Sequence, residues 1–243
     1  MTKIRSVEIL KKCQKLLSLE NEKIKLKYYL ESDPSAQAVQ LTRNEEEEYW
    51  VVEYIDEGIE FLLMHEIGHI YFYKLIKNIH FSKPVTQEVN REFFNYNNVI
   101  VDCFVNYHIT RFDYIYSEYI KYINKLIIPL RFGVKPDTPQ LLGHYINFYL
   151  ELNYCLKKNE LILKKKIIKK GLSKYKQLII RHPDYSLFNE DFIRIERKLD
   201  EFDKIKHSKN SKIIIDYIHQ ILRLLNKWDN AECKTQLKII YNL

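Results

Sequence analysis

His65-Glu66-Ile67-Gly68-His69 decides how the rest of this chain is read. Two histidines four residues apart lie one helical turn apart on the same face. The glutamate between them is rotated by about 100° around the helix axis. Two imidazoles so placed can hold one metal ion, and a carboxylate beside them can take a proton from water. With 8 His in 243 residues, chance supplies this pattern roughly 0.02 times. The pattern requires a helix through 65–69 and a third ligand downstream.

Working back towards the N-terminus, residues 2–20 carry Ile4, Val7, Leu10, Cys13, Leu16 and Leu17 at helical spacing, an amphipathic helix. Residues 23–30 switch to a period of two, with Ile24, Leu26 and Tyr28 facing one side of a strand. Asp33-Pro34-Ser35 is a turn signal, and a short strand near 37–41 is expected to return and pair as a hairpin. Thr42 or Asn44 can then cap a helix whose first turn holds Glu45 to Glu48, where the helix dipole favours acids. That helix is expected to run to about Lys77 through Trp50, Val51, Tyr54, Ile55, Ile59, Leu62, Leu63 and Ile67, with Gly58 as a bend. Gly68 costs it about 1 kcal/mol of helix propensity. A glycine there suits a place where another backbone passes close.

Downstream, Ser82 and Pro84 open a helix expected from 84 to about 111. Within it, Asp102 interrupts the apolar run Val99-Ile100-Val101 and Cys103-Phe104-Val105. A carboxylate in such a buried helix needs a hydrogen-bonding partner, an opposite charge or a metal. Asn98 and Asn106 flank it by one turn each and can orient it as outer partners. Asp102 lies 33 residues after His69, room for a loop and a returning helix. It is therefore the preferred third ligand. Glu88 and Glu92, on the same helix, are the competitors, followed by Asp113, His108 and His80.

The remaining sequence excludes several classes. Only 5 Gly and 6 Pro argue against a turn-rich all-β chain. Cys13, Cys103, Cys155 and Cys233 are far apart with no C-x-x-C pair, which argues against a cysteine zinc site and a redox motif. No apolar leader or membrane-length run is present, so a cytoplasmic chain with no membrane partner is expected. Residues 1–125 carry 16 basic and 19 acidic side chains, while residues 126–243 carry 23 and 13. The basic half fits a solvated lysine-rich surface first and a nucleic-acid partner second. Pro129 to Pro139 reads as a loop, followed by amphipathic helices near 140–157, 160–180, 187–206, 211–227 and 230–241. His144 reads most simply as a core histidine.

H-E-I-G-H on one helix, followed by a helix bearing a carboxylate, resembles the gluzincin-type zinc metallopeptidases. With N-x-x-x-D-x-x-x-N at 98–106, residues 36–112 look most like the metallopeptidase domain that elsewhere precedes a von Willebrand A-like domain. There the aspartate is the third ligand, a position Asp102 matches. The chain lacks a D-x-S-x-S motif, so an A-like domain is not evident. The regulatory peptidases of phage and radiation-response systems also favour H-E-[IL]-G-H. Their E-x-E-A-N-like segment is poorly matched by Glu88-Val-Asn90-Arg-Glu92-Phe. The resemblance implies a strand bordering the cleft, able to pair with extended substrate.

The sequence thus predicts a mainly α protein: a zincin-like active-site helix pair with a small N-terminal β-hairpin or sheet (residues 1–126), then an α-helical C-terminal lobe (residues 127–243). Its expected function is hydrolysis of peptide bonds in a peptide or protein substrate. One Zn2+ is held by His65, His69 and Asp102, with Glu66 as general base and Asn98 and Asn106 as outer partners. Tyr107, His108 and His144 are candidate transition-state donors. The alternative is a non-catalytic zinc-containing helical module with a binding or regulatory role near nucleic acid.

Overall fold

A computed structural model describes residues 3–29, 40–44, 49–55, 60–76, 91–132, 138–181, 189–225 and 229–241. The fold is mainly helical, with one small sheet near the N-terminus. The described residues gather into two compact units. The first comprises Met1–Leu75 and His108–Ile123, and the second Ile76–Tyr107 and Asn124–Leu243.

The first unit opens with helix α1, Lys3–Leu16. Its buried face is Ile9, Leu10 and Cys13, whereas Val7 is 40% exposed and does not join the apolar stripe expected of it. Ser18, at a left-handed φ of 53°, turns the chain out of the helix. Gln14 fastens that exit by donating to the carbonyls of Leu19 (3.3 Å) and Glu22 (3.0 Å). Strand β1 follows as Ile24–Tyr29, with Lys23, Lys25 and Lys27 exposed and Ile24 and Leu26 half-buried. This is the predicted alternation.

The sheet corrects the sequence reading in two ways. Residues Tyr49–Ile55 form a strand, β3, not the start of the motif helix. Trp50, Val51, Tyr54 and Ile55 fit a helical spacing, but Tyr-Trp-Val-Val-Glu-Tyr-Ile is almost entirely aromatic and β-branched, and that preference prevails. Trp50 and Val52 are buried while Tyr49, Val51 and Glu53 are half-exposed, a period of two. Strand β2, Gln40–Asn44, pairs antiparallel with β3 rather than with β1, and β1 pairs parallel with β3, so the order is β1-β3-β2. Lys27 and Glu53 face each other in register and form an ion pair at 3.1 Å. The expected turn at 33–35, the acidic run 45–48 and Gly58 lie outside the described residues.

Helix α2, Glu60–Ile76, carries the His65–His69 motif. It is apolar on most sides: Phe61, Leu63, Met64, Ile67, Ile70, Phe72 and Ile76 are all buried. Its N-terminus is tied to α1 by Arg5, whose guanidinium donates to both carboxylate oxygens of Glu60 at 2.8 and 3.1 Å. That hydrogen bond is the main reason the Glu60 carboxyl titrates below its ordinary range. Phe61 also packs against Tyr119 and Tyr122, both with ring centroids at 5.1 Å, on helix α4, Asp113–Phe132.

The second unit includes helix α3, Arg91–Ile109, up to Tyr107. The expected start at 84 falls outside the described residues. The expected loop from Pro129 is helical as far as Phe132, because α4 continues through the proline. Helix α5, Thr138–Leu150, passes directly into a π-helix, Glu151–Cys155. Helices α6 (Lys158–Ile180), α7 (Asn189–Asp200), α8 (Phe202–Ile205), α9 (Ser211–Leu224) and α10 (Asn230–Tyr241) complete it. Those helices fall where the periodicity places them, except that the span 187–206 breaks into α7 and α8. Asn210 caps α9 by accepting from the Lys212 amide at 3.0 Å. Tyr241 donates to the buried Asn97 at 2.6 Å, which fastens α10 to α3. All four cysteines are free and buried. No described helix is long and apolar enough to cross a membrane.

Candidate metal centre

His65 and His69 stand one turn apart on α2, as their spacing requires. Their Nε2 atoms converge to 3.1 Å, and the rings meet edge to face at 85°. Two nitrogens on a tetrahedral zinc, each about 2.0–2.1 Å from the metal, would be separated by nearly this distance. His69 is 8% exposed and His65 is half-buried, so the pair is only partly open to water. Glu66 is also half-buried and lies on the neighbouring face of the same helix turn.

Asp102 sits on α3, half-buried between the buried residues Val101 and Cys103. Among the described residues, one group with metal-ligand character emerges: His65, His69 and Asp102, whose ligand atoms all lie within 4.8 Å of one another. Two neutral imidazoles and a carboxylate are a donor set suited to zinc, and three protein ligands leave a fourth position for water or substrate. The competitors separate differently. Glu92 is a half-exposed residue in the first turn of α3, and Asp113 opens α4; neither joins the group. His80 and Glu88 lie outside the described residues.

The outer partners carry other contacts. Asn98 is half-buried. Asn106 is 3% exposed and donates to the carboxylate of Glu151, itself 2% exposed. Glu151 is the first residue of the π-helix, whose wider turn carries Glu151 and Cys155 to the buried side. Such turns recur at functional positions. Cys103, between Asp102 and Asn106, lies close to Asn147 Oδ1 at 3.6 Å, and burial pushes its thiol well up in pKa. The negative charges of Glu151 and Asp102 add to that shift. The thiol is thus held neutral among carboxylates.

The candidate transition-state donors each meet other groups. The Tyr107 hydroxyl lies 3.0 Å from His207 Nε2, and the Lys206 ammonium lies over the Tyr107 ring. His108 is 1% exposed, faces Phe72 at a centroid distance of 5.5 Å and lies 3.4 Å from Arg111, a core position rather than a surface one. His144 stacks on Phe148, and burial lowers its pKa.

Two residues escaped the sequence reading. Tyr73 places its hydroxyl 2.7 Å from His69 Nδ1. It stands four residues after His69, so the face His65-His69-Tyr73 was available from spacing alone. Glu151 is a lone acid in the apolar run Phe148-Tyr-Leu-Glu-Leu, the same signal that singled out Asp102.

Breaking the Asn106–Glu151 bond tests how much this buried arm contributes. Asn106→Leu removes the amide donor and leaves the buried carboxylate short of one hydrogen bond. Stability is expected to fall by about 1–3 kcal/mol, the scale for leaving a buried polar group without its partner. Urea denaturation measures it, and a loss under about 0.5 kcal/mol would mean that water or another donor replaces the amide.

Comparison with known proteins returns no relative: no family model, no curated protein and no solved structure matches the chain.

Proposed function

We propose that this chain is a zinc-dependent peptidase, with His65, His69 and Asp102 as metal ligands and Glu66 as general base. The observation that carries the reading is the gathering of those three ligand atoms within 4.8 Å, beside a glutamate placed by the H-E-x-x-H spacing. The resemblance to gluzincin-type peptidases supports it from the sequence side. A purely structural site has no need of Glu66, which favours the catalytic reading over a non-catalytic zinc module.

A zinc ion held by these residues would supply a Lewis acid, able to lower the pKa of bound water towards ~7 and to polarise a carbonyl. The protein's own residues do the rest. His65 and His69 present neutral nitrogens from one rigid helix. Asp102 contributes one negative charge and leaves the site net positive when loaded. Glu66 accepts a proton from the attacking water and delivers it to the departing amine. Among the described residues no further metal-ligating group competes for this role.

The test is metal content together with hydrolysis. Purified wild type is expected to hold one zinc per chain and to cleave unfolded casein, with loss of cleavage on chelation. Asp102→Ala is expected to weaken zinc binding by more than about 100-fold, beyond the range typical of an outer partner. If Asp102→Ala binds zinc as tightly as wild type, the third ligand lies elsewhere. A wild type that holds no zinc ends the metal reading, and one that holds zinc without cleaving casein fits the non-catalytic module instead.

A further inference from the structure

We propose that Tyr73 is a positioning residue for the metal centre: its hydroxyl fixes the ring of His69 so that Nε2, and not Nδ1, is the nitrogen offered to the metal. This deepens the zinc-site reading and rests on it.

An imidazole has two ring nitrogens with different roles. In a neutral ring one nitrogen carries the proton and the other the lone pair. A metal needs the lone pair, so the remaining nitrogen must be the protonated one, and whatever accepts from it sets the tautomer and the ring angle. In His69, Nδ1 faces the Tyr73 oxygen at 2.7 Å and Nε2 faces His65 Nε2 at 3.1 Å. The ring is thus held at both ends, with only the Nε2 end turned to the partner ligand. For ligation the Nδ1–H donates and the phenol oxygen accepts. Partners of ligating histidines are usually carboxylates, backbone carbonyls or water; here the phenol of the same helix takes that place.

Tyr73 can hold a ring only if it is itself held. It is 8% exposed. Its ring meets Trp50 of β3 at a centroid distance of 6.2 Å. Trp50 is in turn anchored by its indole N–H, which donates to Glu22 at 3.1 Å, and Glu22 pairs with Lys74 of α2 at 2.7 Å. Glu22, Trp50, Tyr73 and His69 therefore form a continuous brace from the loop before β1, through β3, to the helix that bears the motif. All of it lies within the first unit. The hydroxyl lies on the Nδ1 side of His69, behind the converging Nε2 atoms, so Tyr73 acts through His69 and not on the substrate.

The experiment compares zinc affinity in wild type, Tyr73→Phe and His69→Ala by competition with a chelator of known affinity. Circular dichroism of the metal-free proteins confirms the fold. Tyr73→Phe removes one oxygen and keeps the ring against Trp50. Its zinc dissociation constant is expected to rise about 10- to 100-fold, the range for loss of an outer partner, while His69→Ala loses zinc altogether. A long-range 1H–15N spectrum of zinc-loaded wild type is expected to place the His69 proton on Nδ1. If wild type binds zinc and Tyr73→Phe binds it within about twofold, the brace is dispensable and the proposal falls, with the metal site intact. A proton on Nε2 would overturn it in wild type itself, whatever the variant's folding. If His69→Ala keeps its zinc, or wild type holds none, the metal reading fails and takes this role with it.

Discussion

Glu66→Gln is expected to bind zinc as wild type does and to lose peptide hydrolysis by about 100- to 10,000-fold, the range for removal of a general base. Glutamine keeps the size and the helix preference of glutamate, and Glu66 is half-buried on a helix whose packing residues are its neighbours. The fold and the two imidazoles are therefore expected to stay in place. What is lost is the capacity to accept a proton. Such a loss belongs in kcat, with KM little changed, because the carboxylate works in the transition state and contributes little to binding. It corresponds to roughly 3–5 kcal/mol of barrier. The measurement is casein or peptide cleavage at saturating zinc, with metal content determined on the same samples. Equal cleavage by wild type and Glu66→Gln would remove Glu66 from the mechanism while leaving the ligands in place.

Much of the helical framework was legible because its signals are long. The periods of α1, α6, α9 and α10 each extend over three or more turns, and burial follows them at Cys13, Ile179, Ile218 and Leu237. The failure at residues 49–55 has a physical cause. Over seven residues an apolar pattern fits a helix and a strand alike, and only the β-branched and aromatic content separates them. The same limit explains the pairing error. The spacing between β1 and β2 invites a hairpin, yet the more apolar β3 takes the central position, where both neighbours cover its backbone. Pro129 misled for a different reason. A proline near the end of α4 removes one hydrogen bond but does not stop the helix before Phe132.

The motif was readable as spacing, since i and i+4 on a helix converge whatever surrounds them. Asp102 was readable as an anomaly, an acid where the sequence is otherwise apolar. Tyr73 and Glu151 obey the same two rules but fall outside the motif. Their roles depend on what each side chain meets: His69 Nδ1 for Tyr73, and Asn106 for Glu151. The π-helix that places Glu151 has no sequence signal of its own, because an extra residue in one turn is set by packing against neighbours rather than by residue type. Those contacts arise only when the chain is folded.

Phe202→Ala is expected to destabilise the second unit by about 3–5 kcal/mol, the cost of deleting a fully buried phenyl ring. Phe202 has no exposed surface. Its ring meets Phe104 at 4.6 Å, Tyr154 at 5.3 Å and Tyr217 at 6.1 Å, joining α3, the π-helix and α9 at one point. It lies on α8, which has only four residues and cannot hold itself as a helix. Removing the ring therefore deletes buried surface, leaves a cavity and releases α8 from its anchor together. Phe202→Leu keeps part of the volume and is expected to cost less than Phe202→Ala but more than the about 1.5 kcal/mol of a volume-conserving apolar swap. Thermal unfolding of both variants checks the order. Its ring contacts are with Phe104, Tyr107, Tyr154 and Tyr217, none of them a proposed ligand, so below the lowered melting temperature Phe202→Ala is expected to retain wild-type zinc affinity. A variant that unfolds early but loads zinc normally would separate the support of α3 from the proposed ligand role of Asp102. One that loses zinc while still folded would show that the ring fixes the angle at which α3 presents its carboxylate.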